Sequence, residues 1–425
     1  MKLFRTLPRT LQSAVLLSLL GIGLPEAVHA FPYTITNLGL YTRDGARPLA
    51  VNNIGEMGGF STAGLTGTKN AFSSSAVPNI TITNLHTRGG NLLGGYSGSY
   101  AAGINEAGQV VGQALRTNIS AYVPFIATNG GTMTEFNPLG GTAGGGGRLN
   151  TARDINNVGQ VVGGAYTAGN TANHAYVYNT GTGTGTDIGA RIAGSGTSEA
   201  FGINDAGQVA GMYYTSTFAQ RAFLYDGSSV TTIATPGGGN AYATGINGSG
   251  SVVGAYFTGT YPSIEKHAFL YSGGNLTDLG AFYAIEARGI NDAGQIVGGA
   301  TLPGSVRGTT SAFLYQNGVM TDLNSLIDPA AWASLNGSIG YDPLWKLVDA
   351  YAISNTGYIV GSAISSYPGT SFGAAVILTP AVLNPVGPIT SPVPEPEVYV
   401  TLLAGLGLLG AMARRRNQAN HQNKA

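Results

Sequence analysis

The sequence predicts an all-β protein, a seven-bladed β-propeller of four-stranded repeats, and three observations predict it. A hairpin pattern recurs seven times along the 425 residues, each copy is followed by further short apolar runs, and a strand-like run before the first copy supplies what the last copy lacks. Composition agrees, since 67 glycines and 43% hydrophobic residues suit many short strands joined by tight turns around a large core.

The chain opens with basic Lys2, Arg5 and Arg9, an apolar run from Ala14 to Leu24, and Val28-His29-Ala30. That order is a secretory signal peptide over residues 1–30, with signal peptidase cutting between Ala30 and Phe31. The apolar run is too short to span a bilayer comfortably, which argues against an uncleaved anchor. Tyr33-Thr34-Ile35-Thr36-Asn37-Leu38-Gly39 follows and reads as a strand with no repeat of its own.

Repeats then fill residues 31–383. Ala102-Gly103-Ile104-Asn105-Glu106-Ala107-Gly108-Gln109-Val110-Val111-Gly112 returns closely at Ala200 to Gly211 and Ala287 to Gly298, and more loosely from Ala50, Ala152, Ala243 and Ala352. A β-compatible run enters a turn and leaves through Gln-Val-Val-Gly, which is a tight hairpin. Gly55, Gly108, Gly159, Gly207, Gly250, Gly294 and Gly357 hold the turn position where positive φ is needed. Third and fourth runs follow, as in His267-Ala268-Phe269-Leu270-Tyr271 with Asn275-Leu276-Thr277-Asp278-Leu279-Gly280. The seventh copy passes from Ala374–Leu378 into the linker without a fourth run, and the N-terminal strand is expected to complete it and close the ring, hiding two sheet edges. An open stack of sheets is the alternative architecture.

The last interval contains Trp332 and Trp345, the chain's two tryptophans, and a short helix is expected around Ser325 to Trp332. These indoles either stack on sugar rings or, as the preferred reading, bury a joint between blades. Beyond the repeats, residues 384–397 form a Pro-rich linker, 398–413 an uncharged apolar segment expected to be a transmembrane helix before processing, and 414–425 a basic cytoplasmic tail. Sixteen residues are short for a permanent span, which favours a processed sorting signal.

Charge and composition exclude several functions. Only 9% of residues are charged, against about a quarter in ordinary soluble proteins. Residues 31–392 carry 13 basic and 17 acidic side chains with no basic stripe, so nucleic acid is excluded as a partner. The absence of cysteine removes disulfides, thiol nucleophiles and thiolate metal sites.

Candidate chemistry is sparse. His86, His174 and His267 are isolated, and His174 and His267 begin equivalent third strands, which suits a framework role better than metal ligation. Glu106, Asp205 and Asp292 sit in the turns, but their equivalents Asn157, Gly248 and Thr356 break any calcium pattern, leaving turn stabilisation. Asp154 and Glu286 are the carboxylates a propeller could converge on its axis for glycoside hydrolysis, the less favoured reading. Gly140 to Gly147 lacks the Gly-Lys-Ser/Thr ending of a phosphate loop and reads as a connection between blades. No catalytic residue, metal or cofactor is assigned.

Two resemblances add to this reading. Val393-Pro394-Glu395-Pro396, the apolar segment containing Leu402 to Gly410, and Arg414-Arg415-Arg416 together resemble a PEP-CTERM sorting domain. The resemblance implies an exosortase as processing partner, export in a Gram-negative bacterium that makes exopolysaccharide, and a motif carried by Pro394, Glu395 and Pro396. Glu397 stands where such tails often have a small polar residue. The repeats resemble the HAF family of bacterial extracellular proteins, named for the run that His267-Ala268-Phe269 reproduces, which implies secretion without a common chemistry.

The expectation is therefore an exported surface or matrix protein, structural or carbohydrate-binding, with exopolysaccharide as a possible partner. It is transiently held at the inner membrane by its C-terminal segment. The alternative is a polysaccharide hydrolase or lyase on the same scaffold.

Overall fold

The computed structural model describes residues 32–381, apart from 43–45, 64–67, 86–95, 129–130, 142–149, 193, 195, 260–262, 282–284, 303–309, 337–344 and 366–372. Residues Met1–Pro380 group as one compact unit and Ala381–Ala425 as another. The former is built of antiparallel four-stranded meanders. The second repeat is typical: Tyr96–Ile104, Gln109–Arg116, Ala121–Thr128 and Thr134–Glu135 pair in sequence order. The third and fourth repeats share one eight-stranded sheet, joined by the single parallel pair Asn173↔Thr197.

The N-terminal strand Tyr33–Thr42 pairs antiparallel with Gly373–Pro380, the third strand of the seventh repeat. It runs past the expected Gly39. Its start is fixed on the other side too, where Tyr33 bridges Ile327 and the Asp328 amide donates to the Tyr33 carbonyl. The predicted helix near Trp332 is a 3₁₀ turn over Leu323–Leu326 followed by an α-helix over Pro329–Asn336.

Core formation follows from the third strands. Six of the seven carry Ala followed by a large or branched residue and the second repeat has Pro124-Phe125 there, and Phe72, Phe125, Tyr176, Phe223, Phe269, Phe313 and Val376 are all fully buried. Such a side chain faces the neighbouring sheet, where Val, Ile and Ala of the first two strands meet it. Phe223, for example, packs with Val162, Ala200, Ile203 and Val209 from the third and fourth repeats. Each buried phenylalanine contributes about 1.5–3 kcal/mol of burial free energy.

The turns have the predicted backbone: φ lies between 69° and 90° at all seven glycines from Gly55 to Gly357. A second glycine, the last of Gln-Val-Val-Gly, meets a different constraint. An added Cβ at Gly112, Gly163, Gly211, Gly254, Gly298 or Gly361 would lie 1.9–2.4 Å from a first-strand carbonyl oxygen of the same repeat. That close approach accompanies a bulge in the first strand, as between Ala101 and Gly103 or between Ala200 and Gly202.

Candidate functional site

The first strands of all seven repeats line two cavities. One, of about 190 Å³, lies on the hairpin side; the other, of about 220 Å³, lies toward the starts of the same strands. Val51, Ile104, Ile246, Ile290 and Ile353 wall both, and with Ile155 and Ile203, which line the hairpin side, they form an aliphatic girdle between them.

The hairpin side is held by asparagine. Asn105 is buried; its Oδ1 accepts the Gln109 amide at 2.9 Å, while its Nδ2 donates to Gln109 Oε1 at 2.8 Å and to the Asn156 carbonyl at 3.1 Å in the next repeat. The inter-repeat bond recurs from Asn52 to Asn105, Asn156 to Asn204, Asn204 to Asn247, Asn247 to Asn291, and Asn291 to Ser354. Ser354 has no amide to continue the series, and Thr356 Oγ1 donates instead to the Asn53 carbonyl at 2.7 Å.

A second series runs through Glu106, Asp205 and Asp292, the acids expected to stabilise turns. Each carboxylate accepts a backbone amide of the preceding repeat: Glu106 from Asn53, Asp205 from Asn157, and Asp292 from Gly248 at 2.6 Å. Asn157, Asn355 and Asn53 do the same for Glu106, Asp292 and Asn355. These side chains therefore clasp neighbouring turns to one another. Among the described residues no group of three or more His, Cys, Asp or Glu could hold a metal ion.

The other cavity is chemically uneven. Just before the girdle six first strands present two residues to it and the second repeat presents Ala102 alone. The nearer position is small in six repeats, as Ala50, Gly202, Gly245, Gly289 and Ala352 on the cavity wall and Gly103 off it, and is Asp154 in the third. The glycines sit where strands approach: an added Cβ on Gly103 would lie 2.7 Å from Asp154 Cα. Asp154 fits by turning its carboxylate to the backbone, accepting Ile155 N–H at 2.9 Å and Ile203 N–H at 3.0 Å. Burial pushes its pKa up to about 7 against the lowering effect of those two bonds.

The farther residue is Leu49, Ala102, Arg153, Phe201, Thr244, Arg288 or Tyr351. In six repeats the register skips this residue, so that the bulge aims it inward. Arg153 Nε bonds Glu199 at 2.7 Å and its guanidinium lies 5.7 Å from the Phe201 ring. Arg288 pairs with Asp349 at 2.9 Å and Glu286 at 3.2 Å, and stands 5.5 Å from the Tyr351 ring. Burial raises the pKa of Asp349 although Arg288 opposes it.

The other predicted residues lie elsewhere. Glu286 accepts the Tyr242 hydroxyl at 3.0 Å and pairs with Lys266 at 3.4 Å; unlike Asp154 it does not line the cavity. His174 pairs with Asp187 at 2.9 Å and His267 with Asp278 at 3.0 Å, each joining third to fourth strand. Trp332 and Trp345 pack against the cluster of Leu323, Ile327 and Leu347. Residues 142–147 of the glycine run, His86, the cleavage pair Ala30 and Phe31, Pro394 to Pro396 and Arg414 to Arg416 lie outside the described residues, as does the apolar segment 398–413. Among the described residues no helix is long and apolar enough to cross a membrane.

Sequence reasoning missed the inward-facing set. Its signal was present as the changing second residue of Ala-x-Gly-Ile-Asn, flanked by positions that repeat.

Residues 392–416 match the PEP-CTERM protein-sorting motif, which makes the chain similar to exported, exosortase-sorted proteins of Gram-negative bacteria. No curated protein matches the chain. Among solved structures, the β-propeller domain of the Trilobed protease from Pyrococcus furiosus is 9% identical, with a TM-score of 0.42 over 66% of this chain and 84% of that one. TolB from Acinetobacter baumannii is 12% identical, with a TM-score of 0.40 over 75% and 66%. YCF48 bound to D1 peptide is 9% identical, with a TM-score of 0.44 over 84% and 99%. At these scores the likenesses carry nothing about activity. The chain is an all-β, repeat-built protein bearing a PEP-CTERM sorting motif.

Proposed function

We propose that the chain is a non-enzymatic surface or matrix protein, sorted by an exosortase after transient anchoring through residues 398–413, whose propeller binds exopolysaccharide. The propeller has seven HAF-type blades and is closed. The strand pairing of Tyr33–Thr42 with Gly373–Pro380 and the hydrogen bonds that run from Asn52 around to Asn53 support closure.

One observation carries binding over catalysis. Seven first strands that otherwise repeat one another turn six different residue types into the axial cavity, only arginine occurring twice, which is the arrangement of a recognition surface. The hydrolase reading has one observation in its favour, the raised pKa of Asp154. Both oxygens of that carboxylate are held by backbone amides, however, and Glu286 is engaged by Tyr242, Lys266 and Arg288 away from the cavity.

The test is to mix the purified chain with the producing organism's exopolysaccharide and to follow co-sedimentation and polymer size together. Co-sedimentation with unchanged polymer is the expected result. Shortened polymer would replace this reading with the hydrolase or lyase, and neither effect would leave a scaffold without a glycan partner.

A further inference from the structure

The binding reading leaves open what part of a glycan the protein recognises and where. We propose that the axial cavity ringed by Leu49, Ala102, Arg153, Phe201, Thr244, Arg288 and Tyr351 takes a single neutral sugar residue at a chain end, an inference that rests on the glycan-binding reading above.

Size, closure and charge each point to this ligand. At about 220 Å³ the cavity is below the roughly 300–1,000 Å³ of pockets for drug-sized ligands, so it holds one small ring and not a length of polymer. Val51, Ile104, Ile246, Ile290 and Ile353 are its floor and offer no side-chain hydrogen bond to a polymer passing along the axis. A chain must therefore enter by its end.

Charge then selects the sugar class. Both lining guanidinium groups already face carboxylates, Arg153 with Glu199 and Arg288 with Asp349 and Glu286. An anionic sugar would have to compete with those carboxylates, and Asp154 adds an acid to the same wall. Hydroxyl groups do not compete in this way: they accept from the remaining guanidinium N–H groups and donate to carboxylate oxygens. The two arginine side chains are 32% and 31% exposed, so their outer edges are accessible. Tyr351, Leu49 and Ala102, contributed by consecutive strands around the axis, supply an apolar arc for the carbon-bound hydrogens of a pyranose.

Isothermal titration of the purified chain with glucose, galactose, mannose and glucuronate tests the class, and co-sedimentation with the organism's exopolysaccharide tests the reading beneath it. The expected result is one site per chain for at least one neutral hexose, at least tenfold weaker binding of glucuronate, and inhibition of polymer binding by that hexose. Ala102→Phe, which fills the cavity, and Phe201→Ala, which opens its wall, should each shift hexose affinity at least tenfold at unchanged melting temperature. If polymer binds but no hexose competes, or if both folded variants bind polymer as the native chain does, the axial site is wrong while the glycan reading stands. Tighter binding of glucuronate overturns the neutral class. If the native chain binds no polymer at all, the underlying reading fails.

Discussion

The asparagine that precedes six of the seven turns does more for the molecule than the glycine that marks the turn. Asn204 accepts from Gln208 N–H and donates both to Gln208 Oε1 and to the Asn247 carbonyl of the next repeat, so its side chain closes a hairpin and joins two sheets at once. Asn204→Ala strands these buried partners and should destabilise the protein by about 2–4 kcal/mol in urea unfolding, given about 1–3 kcal/mol for a buried polar group left unpaired. A loss below 0.5 kcal/mol would mean that the ring of amides is not a source of stability. Asp154 makes a separate prediction. Its folded pKa of about 7 lies above the ordinary carboxylate value, so the folded protein keeps a proton that the unfolded chain releases above about pH 4. Its contribution is complete below that pH and is lost as pH rises toward 7, on the order of 4 kcal/mol at most. Asp154→Asn cannot titrate, so this part of the fall in stability between pH 4 and 7 should be missing from its unfolding curves, although one backbone amide loses its acceptor and overall stability drops. An unaltered slope would assign the pH dependence to other groups.

Within a repeat, two glycines of one short motif answer different needs. Gly207 has φ of 78°, and the nearest atom to an added Cβ is Gln160 Oε1 at 3.4 Å. Gly207→Ala should therefore cost about 1 kcal/mol, the ordinary penalty for positive φ. Gly211 lies four residues on in an extended strand, but its Cβ would sit 2.2 Å from the Glu199 carbonyl oxygen. Gly211→Ala should cost clearly more, about 3 kcal/mol or above by the scale of overpacked cores, and thermal melts of the two variants side by side check the order. This contrast also explains why the inward-facing residues could diversify. The second-strand glycine makes room for the first-strand bulge, and in six repeats the bulge turns one residue out of the packed sheet and into the cavity.

For the molecule as a whole, the N-terminal strand decides whether the last sheet has a free edge. Tyr33, Ile35 and Leu38 are buried, and Tyr33 and Ile35 pack with Leu347, Val376 and Leu378 of the seventh repeat. Deleting residues 1–42 removes this strand and bares the edge of Gly373–Pro380. The truncated chain should melt at least 10 °C lower and form soluble aggregates in size-exclusion chromatography. A monomer of native melting temperature would show that the seventh repeat does not depend on this added strand.

Much of this fold was legible in the sequence because its determinants are local. Turn glycines, alternating strand residues and the Ala-Phe run act within one repeat and recur, so Gly55 to Gly357 marked the hairpins, and the strand-like run from Tyr33 to Gly39 could be matched to the incomplete seventh copy. The sorting signal was legible for the same reason, since Pro394-Glu395-Pro396, the apolar segment and the arginines are read in order along the chain. The candidate site was not legible. Asp154 and Glu286 were paired in prospect as two acids of the inner strands, yet one faces the cavity wall and the other an adjoining ion-pair network. Glu106 and Asp205 belonged to turns by sequence and to neighbouring turns by contact. Sequence by itself determined which segments become strands and how often they recur, because those choices follow from backbone preference and apolar periodicity. Only the tertiary structure decided which side chain meets which across repeats about fifty residues apart and which residue of each first strand faces the cavity, because both depend on the curvature and bulging of assembled sheets.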